Sequence, residues 1–335
     1  MQYRKQHDQN KQRTFGLLMT VIAAFFIVGN VMPAFSQEKY PNRPIRLVVG
    51  FSAGGGPDIV ARLLAPKLVE LLGQQVVVDN RPGAGGSIAE EIVSKAAPDG
   101  YTILACSNSI SINPFLRKLP YDAVRDLVPI SLTGVSAQAL IVRPDFSARS
   151  VSELIALAKS KPGQLTFASS GTGAGSHLSG ELFKLLTSTE MIHVPYKGGG
   201  QGIAAVLGGE TNMMFAPIAA AIPHVKSGRL RALAVTTAKR SGVANDIPTM
   251  VEAGVPGYES FPWYGLLVPS KTPKPITNVL EKATAEVLAQ PDVKDRMLSL
   301  GLDMPEVGRS AFSVLLNAEM KRWSQVINKA GLGSK

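Results

Sequence analysis

Glycine and serine, rather than acids or histidines, are the residues whose types and spacing could do chemistry in this chain of 335 residues. Four segments share one design: Phe51-Ser52-Ala53-Gly54-Gly55-Gly56-Pro57-Asp58, the NRPGAGGS run of 80–87, the ASSGTGAGSH run of 168–177 and the YKGGGQG run of 196–202. Each follows an apolar run and opens a segment of helical periodicity. A helix cannot pair its own first N–H groups, and its dipole places partial positive charge at that end. Glycine lets the chain turn tightly and lets a ligand come within hydrogen-bonding distance of the backbone. Pro57 suits a first helical turn, where its missing N–H would be unpaired anyway. Such a loop fits an oxyanion without Arg or Lys, each charge-assisted bond contributing about 1.5–3 kcal/mol before desolvation. One such loop is simply the tight turn of a strand-to-helix connection. Two very glycine-rich loops in different halves of the chain point to a ligand.

Other chemistries fit less well. Gly50-Phe51-Ser52-Ala53-Gly54 matches the G-x-S-x-G nucleophile elbow, which keeps a serine hydrolase using Ser52 as an alternative. That elbow would follow the first strand of the exported chain, with no earlier strand to supply an oxyanion loop. The last histidine, His224, is more than a hundred residues from the C-terminus, and both His193 and His224 flank prolines. GTGAGS at 171–176 lacks the third glycine of a dinucleotide fingerprint, and no P-loop G-K-[ST] occurs. No His, Cys or acidic pair has metal-ligand spacing. The expectation is therefore no catalytic residue, no cofactor and no metal. Ser107-Asn108-Ser109 offers hydroxyl and amide groups to a ligand or to the next turn. Asp58 is stabilised at a helix start whatever the function, or could accept a hydrogen bond from a ligand. Cys106, the single cysteine, reads as a small core residue.

The elements that must position these loops alternate. Strands are expected at 45–51, 75–79 and 101–106, with helices at 57–72 and from 88 onward, a βαβαβ order that implies a parallel sheet covered on both faces. The pattern restarts with strands at 139–142, 165–168, 193–196, 213–215 and 230–236. Helices are expected at 150–159 (Ser150 and Glu153 forming a capping box), 177–186 and through Ile203 and Leu207. A strand at 263–268 returns to the first unit, and Phe312, Leu315, Leu316, Met320, Trp323 and Ile327 share one face of a terminal helix. Two α/β units with a late return imply two lobes joined by two crossings, near 137–143 and 258–268. The expected division is 37–138 for the first lobe, 139–260 for the second, and 261–335 for the return segment and C-terminal helices of the first.

Residues 1–36 are read as a secretion leader. Arg4, Lys5, Lys11 and Arg13 precede the uncharged run of 15–29, and Ala34-Phe35-Ser36 ends in small residues, placing cleavage after Ser36. An uncleaved anchor is the alternative, but the run falls short of the roughly 18–20 apolar residues that span a bilayer comfortably. The expected location is the periplasm. Of the net charge of +10, +7 remains on the exported part, with Lys and Arg scattered and aromatics at 6%. That composition excludes a nucleic-acid stripe and leans weakly toward anionic solutes. The chain is expected to act as a monomer.

The chain resembles the Bug family, the extracytoplasmic receptors of tripartite tricarboxylate transporters. The matching segments include YPNRPIRLVVGFSAGGGPDIVARLLA, VVVDNRPGAGGSIA, LTFASSGTGAGSHLSGELF, HVPYKGGGQGIAAVLGG, LRALAVTTAKR, IPTMVEAGVPGYE and WYGLLVP, in family order over nearly the whole exported part. The resemblance implies a type II periplasmic binding fold of two doubly wound lobes, a non-enzymatic role, and a small carboxylate or related polar metabolite as ligand. It places first-lobe contacts at Phe51, Ser52, Ala53, Gly54, Gly56 and Asp58, with Ser107, Asn108 and Ser109 nearby. Second-lobe contacts fall at Ala168, Ser169, Ser170, Gly171, Gly173, Ser176 and His177, with Tyr196, Phe215, Ala216 and Pro217 shaping the wall. AGGGPD departs from the Pro-Gly-Gly and nearby hydroxyl common in relatives. Membrane permease subunits are the implied partners, or alternatively a sensor histidine kinase.

Overall fold

Apolar β-branched runs build two sheets in a computed structural model that describes residues 40–304 and 306–333; the expected leader lies outside the described residues. In chain order, β1 (Ile45–Val49), α1 (Gly56–Leu72), β2 (Val76–Asn80), α2 (Ser87–Ser94), β3 (Thr102–Ser107), α3 (Ser109–Leu116) and β4 (Leu127–Ser136) open the first lobe. The second holds β5 (Gln138–Val142), α4 (Val151–Ser160), β6 (Thr166–Ser169), α5 (Gly175–Thr187), β7 (Ile192–Pro195), α6 (Gly199–Gly208), β8 (Met213–Pro217), α7 (Ile218–Lys226) and β9 (Arg231–Val235). The chain then returns as β10 (Trp263–Pro269), α8 (Lys274–Ala289), α9 (Pro291–Ser299), β11 (Leu302–Asp303) and α10 (Arg309–Lys329). Among the described residues no helix is long and apolar enough to cross a membrane.

The first sheet runs β11-β4-β10-β3-β1-β2 and the second β7-β6-β8-β5-β9. The βαβ units are parallel: β1 with β2 and β3, and β6 with β7 and β8. The parallel order expected for the βαβ units is thus present, and antiparallel strands join it where the chain changes lobe. β10 lies antiparallel between β3 and β4, and β5 lies antiparallel between β8 and β9. A strand that enters a lobe from the hinge runs against the strands that end there, so the crossing strands reverse direction. β4, of 10 residues, went unread in the sequence because Pro129 and Gly134 interrupt its apolar pattern. Register shifts in its pairing with β10 absorb these breaks.

The crossings are stitched to each other. The chain passes from β4 to β5 through Ala137 alone and returns through 236–262. Gln138 N–H donates to Thr236 Oγ1 (3.0 Å), Thr236 N–H to Gln138 O (3.0 Å), and Ser136 N–H to Pro262 O (2.8 Å). A third connection comes from α10. Phe312 and Leu316 pack with Trp263 and Leu267 in the first-lobe core, whereas Trp323, Val326 and Ile327 pack with Phe183, Phe215 and Tyr258 in the second. Glu319, 1% exposed, sits between the two halves of that helix and accepts both indole N–H groups, from Trp263 at 3.3 Å and Trp323 at 2.8 Å. Cys106 is buried in β3, as its apolar surroundings require.

Glu319→Ala strands two buried indole donors at once. Each unsatisfied donor costs about 1–3 kcal/mol, so urea denaturation of the variant should show a loss of at least about 2 kcal/mol, with Glu319→Gln retaining much of it.

Candidate functional site

The first-lobe loop is braced from within by Asp58. This carboxylate is buried and accepts the Gly54 N–H (2.8 Å), Arg62 Nε (3.0 Å) and Asn80 Nδ2 (2.8 Å), while Asn80 Nδ2 also reaches Phe51 O (2.9 Å). Burial pushes the Asp58 carboxyl up, but the Gly54, Arg62 and Asn80 hydrogen bonds outweigh it and hold its pKa below the ordinary value. Asp58 therefore shapes the loop, its oxygens accepting from Gly54, Arg62 and Asn80. Gly55 N–H is taken by Ser52 O (3.0 Å). That leaves the amides of Ser52 and Ala53 and the first-turn amides of Gly56 and Asp58 with no acceptor among the described residues. The Ser52 hydroxyl is exposed and no histidine bonds it, so the elbow lacks a base.

The 80–87 loop is held in an unusual backbone state. Gly83, Ala84, Gly85 and Gly86 all have positive φ (138°, 47°, 66° and 97°), and Ala84 is the one residue with a side chain. Arg117 Nη1 (2.7 Å) and Ser87 Oγ (3.0 Å) both donate to Ala84 O, and Asn113 Nδ2 donates to Gly85 O (3.0 Å). A Cβ on Gly86 would lie 3.1 Å from Ser109 Oγ, 3.2 Å from Phe51 Cε2 and 3.3 Å from Glu90 Oε1. Phe51 and Ser109, predicted from separate loops, are thus brought together. Ser107 Oγ lies 3.0 Å from Ser109 Oγ, and the Asn108 carboxamide has no hydrogen bond among the described residues.

In the second lobe the predicted residues are brought together, but several serve the loop rather than open space. Ser176 Oγ accepts the Ser170 N–H (2.9 Å), Ser169 Oγ accepts the Gly171 N–H (3.1 Å), and His177 Nδ1 accepts the Gly173 N–H (3.0 Å). Ala168, Ser169 and Ala216 are fully buried, and His177 is 3% exposed. The amides left free are those of the first turn of α5: Gly175, Ser176 and His177. Tyr196 N–H bonds Ser169 O (3.0 Å), and its hydroxyl donates to Glu210, just past the end of α6. Pro217 is exposed beside Gly199, whose Cβ would lie 3.6 Å from Pro217 Cδ. Beneath the loop, His177 and His193 stack with ring centroids 3.7 Å apart, and His193 Nε2 is 2.6 Å from Ser169 Oγ. Burial, then the charge of His177, lowers the His193 pKa to about 4, so His193 is neutral near pH 7.

Two residues that sequence reading passed over complete the arrangement. A Cβ on Gly175 would lie 3.3 Å from Gln138 Nε2, in the first crossing. The Tyr264 hydroxyl, in the return strand, lies where a Cβ on Gly56 would have to be, and has no hydrogen-bond partner among the described residues. Gly56 is thereby explained as room for Tyr264. Burial pushes the Tyr264 phenol up to about 12, so it is a neutral donor. The N-termini of α1 and α5 therefore both lie beside the hinge, each with an uncharged donor next to it. Of the cations at these loops, Arg62 and Arg117 are tied to Asp58, Asn80 and Ala84, Arg81 pairs with Asp79, and Lys197 is exposed. The site offers N–H and O–H donors to an anion and no group placed to break a bond.

Comparison with known proteins agrees with this geometry. The model of the tripartite tricarboxylate transporter family receptor matches residues 60–332. Protein BugT of Bordetella pertussis is 34% identical over 317 residues, covering 94% of this chain and 97% of BugT. A solved R. palustris structure with adipate is 34% identical, with a TM-score of 0.72, covering 88% of this chain and 99% of that one. A TctC solute-binding protein from Polaromonas with no ligand is 28% identical, with a TM-score of 0.80, covering 87% and 99%.

The His193 shift has a consequence for stability. Its pKa in the folded chain is depressed to about 4 from 6.5, so below pH 6.5 the unfolded chain takes a proton that the folded chain refuses. Thermal midpoints should fall as pH drops from 6.5 toward 4, and His193→Gln should flatten that decline; equal declines in the two proteins would refute the account.

Proposed function

The chain belongs to the tripartite tricarboxylate transporter receptor family, whose members are solute-binding receptors rather than enzymes, and from that premise we propose that it captures a small carboxylate between its lobes. Residues 139–260 close as one lobe against 37–138 and 261–335, and the closed form is the one a membrane permease engages. The supporting observation is the pair of unpaired helix starts at the hinge. Gly56 and Asp58 on one side and Gly175, Ser176 and His177 on the other lack acceptors, with Gln138 Nε2 and the Tyr264 hydroxyl alongside. A carboxylate supplies the missing acceptor oxygens.

Closure follows from differential affinity. A ligand held by one loop gains the donors of the other only when the lobes approach, so it favours the closed state by the strength of those added bonds. The adipate in the R. palustris relative makes a dicarboxylate of that size the first probe.

Adipate at a hundred times its Kd should stabilise the protein by about 2.7 kcal/mol, visible as a thermal shift. Tyr264→Phe removes a hydroxyl with no partner in the unliganded protein, so folding stability should hold while affinity drops about tenfold or more, as expected for one hydrogen bond to a charged group. Gln138→Met should weaken binding similarly. A panel of C4–C8 mono- and dicarboxylates that gives no shift, or full affinity in both variants, would overturn the proposal.

A further inference from the structure

A buried carboxyl lies directly under the first-lobe serines. Glu90, on the first turn of α2, is 2% exposed and has no cationic partner bonded to it. Its Oε2 accepts the Tyr121 hydroxyl and Asn113 Nδ2 (3.5 Å), both from beyond its own helix. Its Oε1 faces Ser109 Oγ at 3.3 Å, and Ser109 Oγ faces Ser107 Oγ at 3.0 Å. Glu90, Ser109 and Ser107 thus form a chain of oxygens running from the interior of the lobe to the carboxyl end of β3.

Such a chain has two polarities. An ionised Glu90 can only accept, so Ser109 points its proton inward, and Ser107, as in the structure, donates to Ser109. The serine pair then shows lone pairs outward and repels a carboxylate. A neutral Glu90 reverses every step. Because Oε2 already receives two donors, its proton resides on Oε1 and goes to Ser109 Oγ, the Ser109 proton goes to Ser107 Oγ, and the Ser107 proton is left free to donate outward. Ser107 Oγ also receives the Ser109 N–H (3.3 Å), which fills its remaining lone pair in this state and fixes the outward direction of its hydroxyl.

We propose that Glu90 is a positioning residue that sets whether the Ser107–Ser109 pair donates to or repels a carboxylate, so that carboxylate binding is coupled to uptake of one proton by Glu90. This rests on the carboxylate-capture reading above. Burial favours the neutral form of Glu90, and the groups that face it favour the ionised one. Burial raises its pKa above the ordinary glutamate value, against the opposing hydrogen bonds of Tyr121, Asn113 and Ser109 and the charge of Arg117. From β3 the Cys106 thiol, itself pushed up by burial and by the Glu90 charge, adds no cation, and Tyr121 is likewise pushed up and stays neutral. Glu91, the neighbouring acid on α2, forms an ion pair with Lys95 at the surface.

The test is calorimetric titration of the full exported chain with adipate between pH 5 and 9, repeated in buffers of differing ionisation enthalpy to count protons. The wild type should take up as much as one proton on binding, and its affinity should fall up to tenfold per pH unit above the Glu90 pKa. Glu90→Gln presents an amide N–H to Ser109 at every pH, so its proton uptake and its pH slope should vanish. Ser109→Ala breaks the chain and should abolish proton uptake while weakening binding. Adipate binding with no proton uptake in the wild type, or an unaltered slope in Glu90→Gln, overturns the Glu90 proposal and leaves carboxylate capture standing. Failure of the wild type to bind any dicarboxylate overturns both.

Discussion

The first turn of an α-helix has N–H groups that the helix itself cannot satisfy, and this chain starts two helices beside its hinge without capping them by side chains. Among the described α-helices only α4 carries a side-chain cap, Ser150 accepting the Glu153 N–H; what sets α1 and α5 apart is their place beside the hinge. The difference is not one of available residues. Ser176, His177 and Asp58 all stand at the starts of α1 and α5, yet each turns its acceptor onto the preceding loop. The capping groups hold the loop and leave the helix amides open, which makes a rigid donor array in place of a finished turn. An array already in place needs no reorganisation when an anion arrives.

The hinge carries that array in two halves. Gln138 belongs to the first crossing and Tyr264 to the strand that follows the second, while Ser136 and Pro262 bond the crossings two residues away. Each crossing residue therefore stands close to the axis about which the lobes turn, where a small rotation moves atoms little. The outer contacts must yield more. Asp303 of β11 accepts the Ser241 hydroxyl (2.8 Å) and the Gly242 N–H (2.9 Å), and a Cβ on Gly301 would fall 2.8 Å from Ala219 Cβ on α7. α10 restrains the same motion, because its two halves are packed into different cores around Glu319.

Sequence patterning disclosed the loops because both signals it uses were present: β-branched runs before them and helical periodicity after. It placed Phe51, Ser107 and Ser109 within one region, and the fold brings Phe51 and Ser109 against Gly86. It could not say which groups were already in use. Asp58 and His177 stand at helix starts with the right chemistry, but their acceptors are consumed by Gly54 and Gly173. Gln138 and Tyr264 gave no local signal, since their position follows from antiparallel strands entering at the hinge. Glu90 was hidden for a similar reason: it sits in an ordinary-looking helix, and Tyr121, Asn113 and Ser109 reach it from 19–31 residues away.

The use of helix first-turn amides at these loops has a physical meaning beyond the choice of ligand. A guanidinium pair in a closing crevice must lose its own hydration, and that desolvation can equal the attraction gained. Amides of a helix first turn are fixed dipoles that face the loop in either state of the hinge, so closure removes less water from the protein side. Arg62 and Arg117 are spent on Asp58, Asn80 and Ala84, and His193 is held neutral by burial under the second loop. An anion entering between the lobes then meets a field made mostly of backbone. In the proposed reading its specificity comes from where the acceptor oxygens are required, beside Gly56 and Gly175, which leave space for Tyr264 and Gln138 to approach.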